Sequence, residues 1–262
     1  MKDIIKRNAN AIASIIRLAG EWVKPLLFKH KLRQATPVFI YQMGKVGSSS
    51  IYNSLLRQYR GAVLHAHSFS LMHDDRKIRE LYRHAILKAR PLNVISLTRE
   101  PIGRNISAFF QNFKRDTGVP YSKADFTVDE LKALFLSNYR HEIPLEWFDN
   151  NILKNFDIDV YTRPFSQAGS ATYLNRNIRL LIMRMEISDN EKEKAISDFL
   201  ELPGFHLQNT NIGEGKSYSK TYKSFRREAK LPYDYVAAMC ESKYFTHFYS
   251  RETIENVRMK WS

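Results

Sequence analysis

Three short apolar segments in the first part of the sequence have the composition of buried β-strands. They are Val38 to Met43, Ala62 to Leu64 and Leu92 to Leu97, which are rich in aliphatic and aromatic residues and too short for typical helices. After each segment the apolar residues recur with helical spacing: Ile51, Leu55 and Tyr59, then Ile78, Leu81, Tyr82 and Ile86, then Ile102, Ile106, Phe109, Phe110 and Phe113. This alternation predicts an α/β fold with a central parallel sheet flanked by helices.

The remainder of the sequence predicts mostly helices around one further clear strand. Thr127 to Tyr139 and Glu191 to Leu202 have helical periodicity, whereas Asn177 to Glu186 has the composition of a strand. Val160 to Tyr161 is predicted to be a short additional strand. The aromatic stretch 242–261 is predicted to be helical.

A loop with two glycines and three serines connects the first predicted strand to its helix. Its residues are Gly44, Lys45, Val46, Gly47, Ser48, Ser49 and Ser50. The glycines let the backbone approach a ligand closely, and a serine-capped helix start aims free N–H groups at one point. Lys45 adds a mobile positive charge, so the loop is predicted to bind an anion. The alternative is a tight strand-to-helix turn without a ligand.

Polar residues also follow the second and third predicted strands. His65 and His67 are two residues apart, so both are expected to point to the same side, towards the edge where open α/β sheets bind ligands. Arg99 follows the third strand, and Ser107 lies in a helix predicted to start at Pro101. A guanidinium can bind phosphate through two hydrogen bonds, and a hydroxyl supplies a further donor. A surface ion pair and a helix-interior serine would explain either residue alone.

The net charge narrows the classes of ligand, and the cysteine content indicates the cellular compartment. The chain has 41 Lys and Arg against 27 Asp and Glu, a formal charge of +14. This predicts an acidic partner: a nucleotide, a polyanionic glycan, nucleic acid or an anionic membrane. The single cysteine, Cys240, fits a reducing compartment, and we expect a cytoplasmic, membrane-peripheral location.

The first 35 residues form a basic segment that differs from the rest. Met1 to Ala35 contains eight Lys and Arg but only two acidic residues, and its isoleucines suggest an amphipathic helix. Its longest uncharged stretch, Asn8 to Ile16, is too short to cross a bilayer. We predict a helical arm over 1–35 and a single domain over 36–262. The arm either contacts a membrane surface or packs on the domain edge with a solvated basic face.

The loop and the Arg99–Ser107 pair resemble the two nucleotide motifs of the sulfotransferases that use 3′-phosphoadenosine 5′-phosphosulfate (PAPS). In that family an early loop lysine contacts the oxygen that leaves the sulfur, and an arginine followed eight residues later by a serine binds the 3′-phosphate. The strand 177–186 resembles the family pattern L-L-x-x-R-x-E-D-L, although Ile187 and Ser188 replace its last two residues. The ending Met-Lys-Trp-Ser, residues 259–262, resembles that of bacterial capsular polysaccharide synthesis proteins, which are themselves sulfotransferase-like.

This resemblance, from about Pro37 to Ser262, implies a P-loop-like sulfotransferase fold and transfer of a sulfuryl group from PAPS to a hydroxyl of a glycan or polysaccharide. Lys45 would assist the leaving oxygen. The histidines are similar to the H-x-H of glycosaminoglycan uronyl sulfotransferases, which implies that His67 is the base and that His65 contacts or orients the acceptor. The residues implied to bind PAPS are Gly44, Lys45, Val46, Gly47, Ser48, Ser49, Ser50, Arg99, Ser107 and, in a late basic loop and helix, Lys216, Lys220 and Tyr222.

Several alternatives stay open at this point. His65 or an acid such as Glu100 would be the base if His67 is not. A His-x-His pair can bind metal, but a third ligand is not apparent and we expect no metal. A phosphotransferase that uses the same loop would need an acidic magnesium ligand at the end of a strand. The third strand ends in Thr98 and Arg99 instead. A non-enzymatic polyanion or RNA binder is the other alternative, although the sequence lacks an aromatic RNP pattern and we expect no nucleic acid partner.

Overall fold

The computed structural model describes residues 26–69, 75–120, 126–208 and 219–262. Residues 1–25 of the predicted arm and the predicted site residue Lys216 lie outside these ranges. The elements in chain order are α1 (residues 26–34), β1 (Val38–Tyr41), α2 (Ser48–Gln58), β2 (Val63–Ala66), α3 (Arg76–Tyr82) continued by a π-helical turn (Arg83–Leu87), β3 (Leu92–Thr98), α4 (Pro101–Thr117), α5 (Val128–Asn138), α6 (Ile143–Trp147), a second π-helical turn (Phe148–Leu153), α7 (Lys154–Phe156), a 3₁₀ turn (Val160–Thr162), β4 (Ser170–Asn175), β5 (Ile178–Arg184), α8 (Asp189–Leu200), α9 (Ser219–Glu228), α10 (Tyr233–Cys240), α11 (Lys243–Phe248) and α12 (Arg251–Trp261).

The described strands form one five-stranded sheet in the order β2-β1-β3-β5-β4. β1 pairs in parallel with β2 and β3, and β3 pairs in parallel with β5, whereas β4 pairs antiparallel with β5. The predicted α/β fold with a central sheet flanked by helices is therefore confirmed, and the predicted parallel pairing holds for every described strand except β4. β4 is an antiparallel edge strand that the sequence pattern did not predict, because Tyr173 is its single buried residue.

The inner strands are apolar because helices cover both faces of the sheet. All residues of β1 and β3 are buried. The parallel register pairs Val38 with both Val63 and Asn93, and Leu92 with Ile178, so the carboxyl ends of β1, β2, β3 and β5 meet at one edge. The segments that follow these strands are thereby brought together.

Two local predictions are wrong. Val160 to Tyr161 belongs to a 3₁₀ turn rather than a strand, because the Asp159 carboxylate accepts a hydrogen bond from the Tyr161 N–H at 2.9 Å and turns the chain. The start of α2 is not capped by serine. Gly47 is its N-cap residue, with φ 77°, and no side chain accepts a hydrogen bond there. A left-handed backbone favours glycine at this position.

The start of α4 follows the predicted pattern. Pro101 occupies its first turn, and the Glu100 carboxylate accepts a hydrogen bond from the Gly103 N–H at 2.7 Å. The predicted apolar face of α4 is buried in the core. This anchoring fixes the opposite, polar face of α4 beside the edge where the strands end.

The described part of the predicted arm packs on the domain. In α1, Phe28 and Leu32 are buried, and Lys29 lies 3.9 Å from Glu80. Leu26 and Leu27 of the same helix are exposed. Among the described residues, no helix has the length and apolar character needed to cross a membrane.

Candidate anion-binding and catalytic site

A cavity of about 520 Å³ lies at the carboxyl edge of the sheet, between the 44–50 loop and α4. Its volume is in the usual range of small-molecule sites. Its lining contains nine predicted site residues from separate parts of the chain: Gly44, Lys45, Gly47, Ser48, Ser49, His65, His67, Arg99 and Ser107. The further lining residues are Arg104, Ala108, Gln111, Asn112, Arg115, Tyr139, Ile143 and Met185.

The charged residues of the described cavity lining are all basic. Lys45, Arg99, Arg104 and Arg115 line the cavity, and no carboxylate occurs among the described residues of its lining. Clustered cations between low-dielectric walls raise the local concentration of anions. The charge of the cavity therefore favours a negatively charged ligand.

The loop itself has a left-handed backbone at two positions. Lys45 has φ 74° and Gly47 has φ 77°. A positive φ is strained for a residue other than glycine, and such strain is often found at functional sites. The loop is held by two arginines: the Arg99 guanidinium donates to the Lys45 carbonyl at 2.9 Å, and Arg104 Nε donates to the Gly44 carbonyl at 3.0 Å.

Lys45 extends from the loop towards α4. Its ammonium donates a hydrogen bond to Gln111 Oε1 at 2.6 Å. Because Lys45 and Gln111 both line the cavity, this contact keeps a positive charge at the cavity wall.

The backbone of Arg99 is fixed by a tyrosine from the C-terminal part of the chain. The Tyr244 hydroxyl accepts a hydrogen bond from the Arg99 N–H at 3.1 Å and donates one to the Arg99 carbonyl at 2.9 Å. Burial raises the pKa of Tyr244 well above its ordinary value, so the phenol keeps the proton that it donates. This contact orients Arg99 at the end of β3.

Arg104 is a buried part of the site that the sequence analysis missed. It is 4% exposed, and its guanidinium donates to the Tyr139 hydroxyl at 2.6 Å and to Asn105 Oδ1 at 3.1 Å. Burial lowers the pKa of Arg104, but an arginine stays protonated in proteins. A signal was present in the sequence, because Arg104, Ser107, Gln111 and Arg115 recur with the spacing of one helical face.

The hydrogen bonds of His67 define its tautomer. Its Nδ1 lies 2.9 Å from the backbone carbonyl of Gln42, and a carbonyl only accepts, so Nδ1 must carry the proton. In the neutral ring Nε2 then has a free lone pair. A Cβ placed on Gly44 would lie 3.9 Å from this Nε2, so the lone pair is beside the 44–50 loop.

His65 has a different environment from His67. Its Nε2 lies 2.9 Å from Ser48 Oγ and 3.1 Å from Gln42 Nε2, and its ring stacks on Tyr52. Burial, with a smaller contribution from the charge of His67, lowers the pKa of His65 to about 4. His65 is therefore neutral near pH 7 and holds the first residue of α2 in place.

Other predicted residues lie away from the cavity lining. The Val46 side chain is buried in the core, and Ser50 Oγ donates to the Gly47 carbonyl at 3.4 Å. Lys220 is exposed on α9, and Tyr222 packs edge-on against Phe110 with ring centroids 5.4 Å apart.

The acidic residues near Arg99 have structural contacts. Glu100, the alternative base, caps its own helix and does not line the cavity. Glu186 accepts hydrogen bonds from the Glu100 N–H at 3.1 Å and from the Tyr249 hydroxyl at 2.9 Å. Arg184 donates to the Gln167 carbonyl at 2.6 Å. Within the ranges that the structure describes, no cluster of His, Cys, Asp and Glu is arranged to hold a metal ion.

Fold and cavity together define an α/β protein with a cationic cavity beside the 44–50 loop, at the carboxyl edge of its sheet. Residues 122–250 match the family described as "putative capsular polysaccharide synthesis protein". This match covers just under half of the chain; it includes Tyr139 and Tyr244 but neither the loop nor the Arg99–Ser107 pair, and residues 259–262 lie beyond it. No curated protein and no solved structure matches the chain.

Proposed function

We propose that this protein is a PAPS-dependent sulfotransferase of the P-loop-like type that acts on a hydroxyl group of a glycan. The observation that carries the proposal is the meeting of the loop, the Arg99–Ser107 pair and the His67 Nε2 lone pair at one cationic cavity. A tight turn alone would not explain why these separate segments converge.

The residues present fit the two anionic ends of PAPS. The first N–H groups of α2 have no side-chain cap, so they are available to a 5′-phosphosulfate together with Lys45. Arg99 and Ser107 supply a charged and a neutral donor for a 3′-phosphate. In this assignment Arg104 holds the loop rather than the nucleotide, because its donors contact Gly44, Asn105 and Tyr139.

The chain supplies groups for each part of the transfer. The acceptor hydroxyl gives its proton to His67 Nε2 while its oxygen forms a bond to sulfur and the bond from sulfur to the 5′-phosphate oxygen breaks. The Lys45 ammonium stabilises the negative charge that develops on that leaving oxygen. His65 keeps Ser48 and the start of α2 in position.

A glycan acceptor is supported by the match of residues 122–250 to a family whose description refers to capsular polysaccharide synthesis. The matched segment supplies Tyr139, Ile143 and Met185 to the cavity wall. We assign the acceptor side of the cavity to this wall.

Isothermal titration calorimetry tests the proposal most directly. Adenosine 3′,5′-bisphosphate should bind without added metal and more tightly than ATP with magnesium, because the described cavity lining has no carboxylate for a magnesium ion. Tighter binding of ATP with magnesium would instead indicate a phosphotransferase. Failure of both nucleotides to bind would contradict the nucleotide site.

A further inference from the structure

A second cavity of about 520 Å³ lies at the opposite edge of the sheet from the candidate site. Its wall includes Ala35, Thr36 and Pro37, which precede β1, and Arg90 and Pro91, which precede β3. It is therefore at the amino ends of the strands whose carboxyl ends form the first cavity.

This second cavity is also cationic. Arg33, Lys88 and Arg90 line it together with His84, and no acidic residue occurs among its described lining residues. Burial and then the charges of Arg90, Lys88 and Arg33 lower the pKa of His84, so the three cations act on one point. Since like charges repel, an arrangement of this kind is stabilised when an anion binds between them.

Exposed leucines lie on the elements that carry these cations. Leu87 is 67% exposed and directly precedes Lys88. Leu26 is 67% exposed and lies two helical turns before Arg33 on α1. Residues 26–34 contain no acid, and the opposite side of α1 packs on the core. Large exposed aliphatic side chains beside basic residues are typical of membrane-surface segments.

We propose that this face, formed by α1 and residues 84–91, docks on a membrane containing anionic phospholipid. Phosphate groups of the lipid would lie among Arg33, Lys88 and Arg90, and the exposed leucines would enter the interfacial region. The exposed leucines favour a lipid surface, and the described lining has no Phe, Tyr or Trp ring on which the sugars of an acidic glycan could stack. The candidate sulfotransferase site, at the other edge of the sheet, then faces the aqueous side. This inference does not depend on the proposed function.

Vesicle co-sedimentation of the full chain tests the proposal. Binding to vesicles of phosphatidylglycerol and phosphatidylcholine should exceed binding to phosphatidylcholine alone and should weaken with added salt. A basic residue near an anionic surface contributes about fivefold to partitioning, so Arg33→Gln, Lys88→Gln and Arg90→Gln combined should reduce binding on the order of 100-fold.

A control variant loses the same three positive charges as the cavity variant, but from other parts of the surface. Lys154→Gln, Arg176→Gln and Arg251→Gln remove three exposed cations that line neither cavity. The control should lose far less binding than the cavity variant, with the same thermal unfolding midpoint for both. Equal losses in the two triple variants would overturn the proposal, because general charge would then explain the binding.

A separate variant tests the leucines. Leu26→Ser with Leu87→Ser should weaken vesicle binding at constant charge while leaving affinity for heparin, a soluble polyanion, unchanged. Loss of heparin binding in the cavity variant with unaltered vesicle binding would assign the surface to acidic polysaccharide and overturn the membrane proposal.

Discussion

His67 Nδ1 lies 2.9 Å from the backbone carbonyl oxygen of Gln42, and this contact fixes the proton on Nδ1. Because Gln42 directly follows β1 and His67 directly follows β2, the pairing of two strands determines which histidine nitrogen is basic. Nε2 is left as the acceptor beside Gly44. The sheet thereby sets the tautomer of the histidine that we propose as the general base.

Removing the His67 ring should separate catalysis from nucleotide binding. For His67→Ala we expect transfer to fall by roughly 10²–10⁴-fold, the usual contribution of a general base. Affinity for adenosine 3′,5′-bisphosphate should stay nearly unchanged. Pre-steady-state transfer rates of the two proteins, with calorimetry for the nucleotide affinity, provide the measurement. A variant that keeps the full transfer rate would place the base elsewhere.

Arg99 should determine the preference for a 3′-phosphate. The unmutated protein should bind adenosine 3′,5′-bisphosphate far better than AMP, and Arg99→Ala should remove most of this difference, about 1.5–3 kcal/mol. Arg115→Ala is the control, because Arg115 also lines the cavity but pairs with Asp116 at 2.7 Å. Calorimetry with both nucleotides decides the matter. An unmutated protein that binds the two equally well would show that no 3′-phosphate is recognised.

Lys45 should matter more for transfer than for product binding. Its proposed contact strengthens as the leaving oxygen gains charge, so Lys45→Ala should lower the transfer rate more than the affinity for adenosine 3′,5′-bisphosphate. Gln111→Ala removes the partner of the ammonium but keeps the charge, and it should have a smaller effect. Parallel losses of rate and affinity in Lys45→Ala would make this lysine a simple phosphate anchor.

Gly47 and Gly118 allow backbone strain to be separated from function. They have φ values of 77° and 76°, so substitution by alanine should cost each position roughly 1–2 kcal/mol of folding free energy. Gly47→Ala should also weaken nucleotide binding, because Gly47 lines the cavity. Gly118→Ala, at the end of α4, should leave binding intact. Urea denaturation and calorimetry measure the two effects. Equal nucleotide affinity in both variants would argue against the loop as the anion site.

His65 should make the fold sensitive to mild acid. Its pKa is about 4 in the folded protein and about 6.5 when unfolded, so the unfolded chain binds the proton more readily. The stabilisation from a neutral His65 is complete above about pH 6.5 and is lost as the pH falls towards 4, with a total on the order of 3 kcal/mol.

Urea denaturation over this pH range provides the test. His65→Gln should flatten the pH dependence of the unfolding free energy, whereas His30→Gln, at an exposed histidine, should retain it. Equal slopes in the unmutated protein and in His65→Gln would refute the assignment.

Local sequence signals were sufficient for much of the architecture. The strand before the loop and the proline start of α4 depend on neighbouring residues, so they could be recognised from the pattern. The convergence of Arg99 with the loop could also be predicted, because parallel strands place their carboxyl ends at one edge.

Contacts between distant residues could not be predicted in this way. The Arg104 side chain is positioned by its hydrogen bond to Tyr139, which is 35 residues further along the chain. Neither residue belongs to a recognisable sequence motif. The N-cap of α2 was predicted wrongly. Serines are good helix caps, and three of them stand at this helix start, but the left-handed turn before the helix requires Gly47 at the cap position. β4 is an edge strand with few buried residues, so its pattern is weak.

The bond between Tyr244 and Arg99 joins residues that are 145 positions apart. During synthesis on a ribosome, β1, β2 and β3 are complete long before Tyr244 is made. Domains generally fold as units, and the Arg99 backbone is fixed only when α11 has left the exit tunnel. A nascent chain can therefore form the loop early but fixes Arg99 late, so premature termination near residue 240 would release a chain in which the proposed 3′-phosphate contact is not yet oriented.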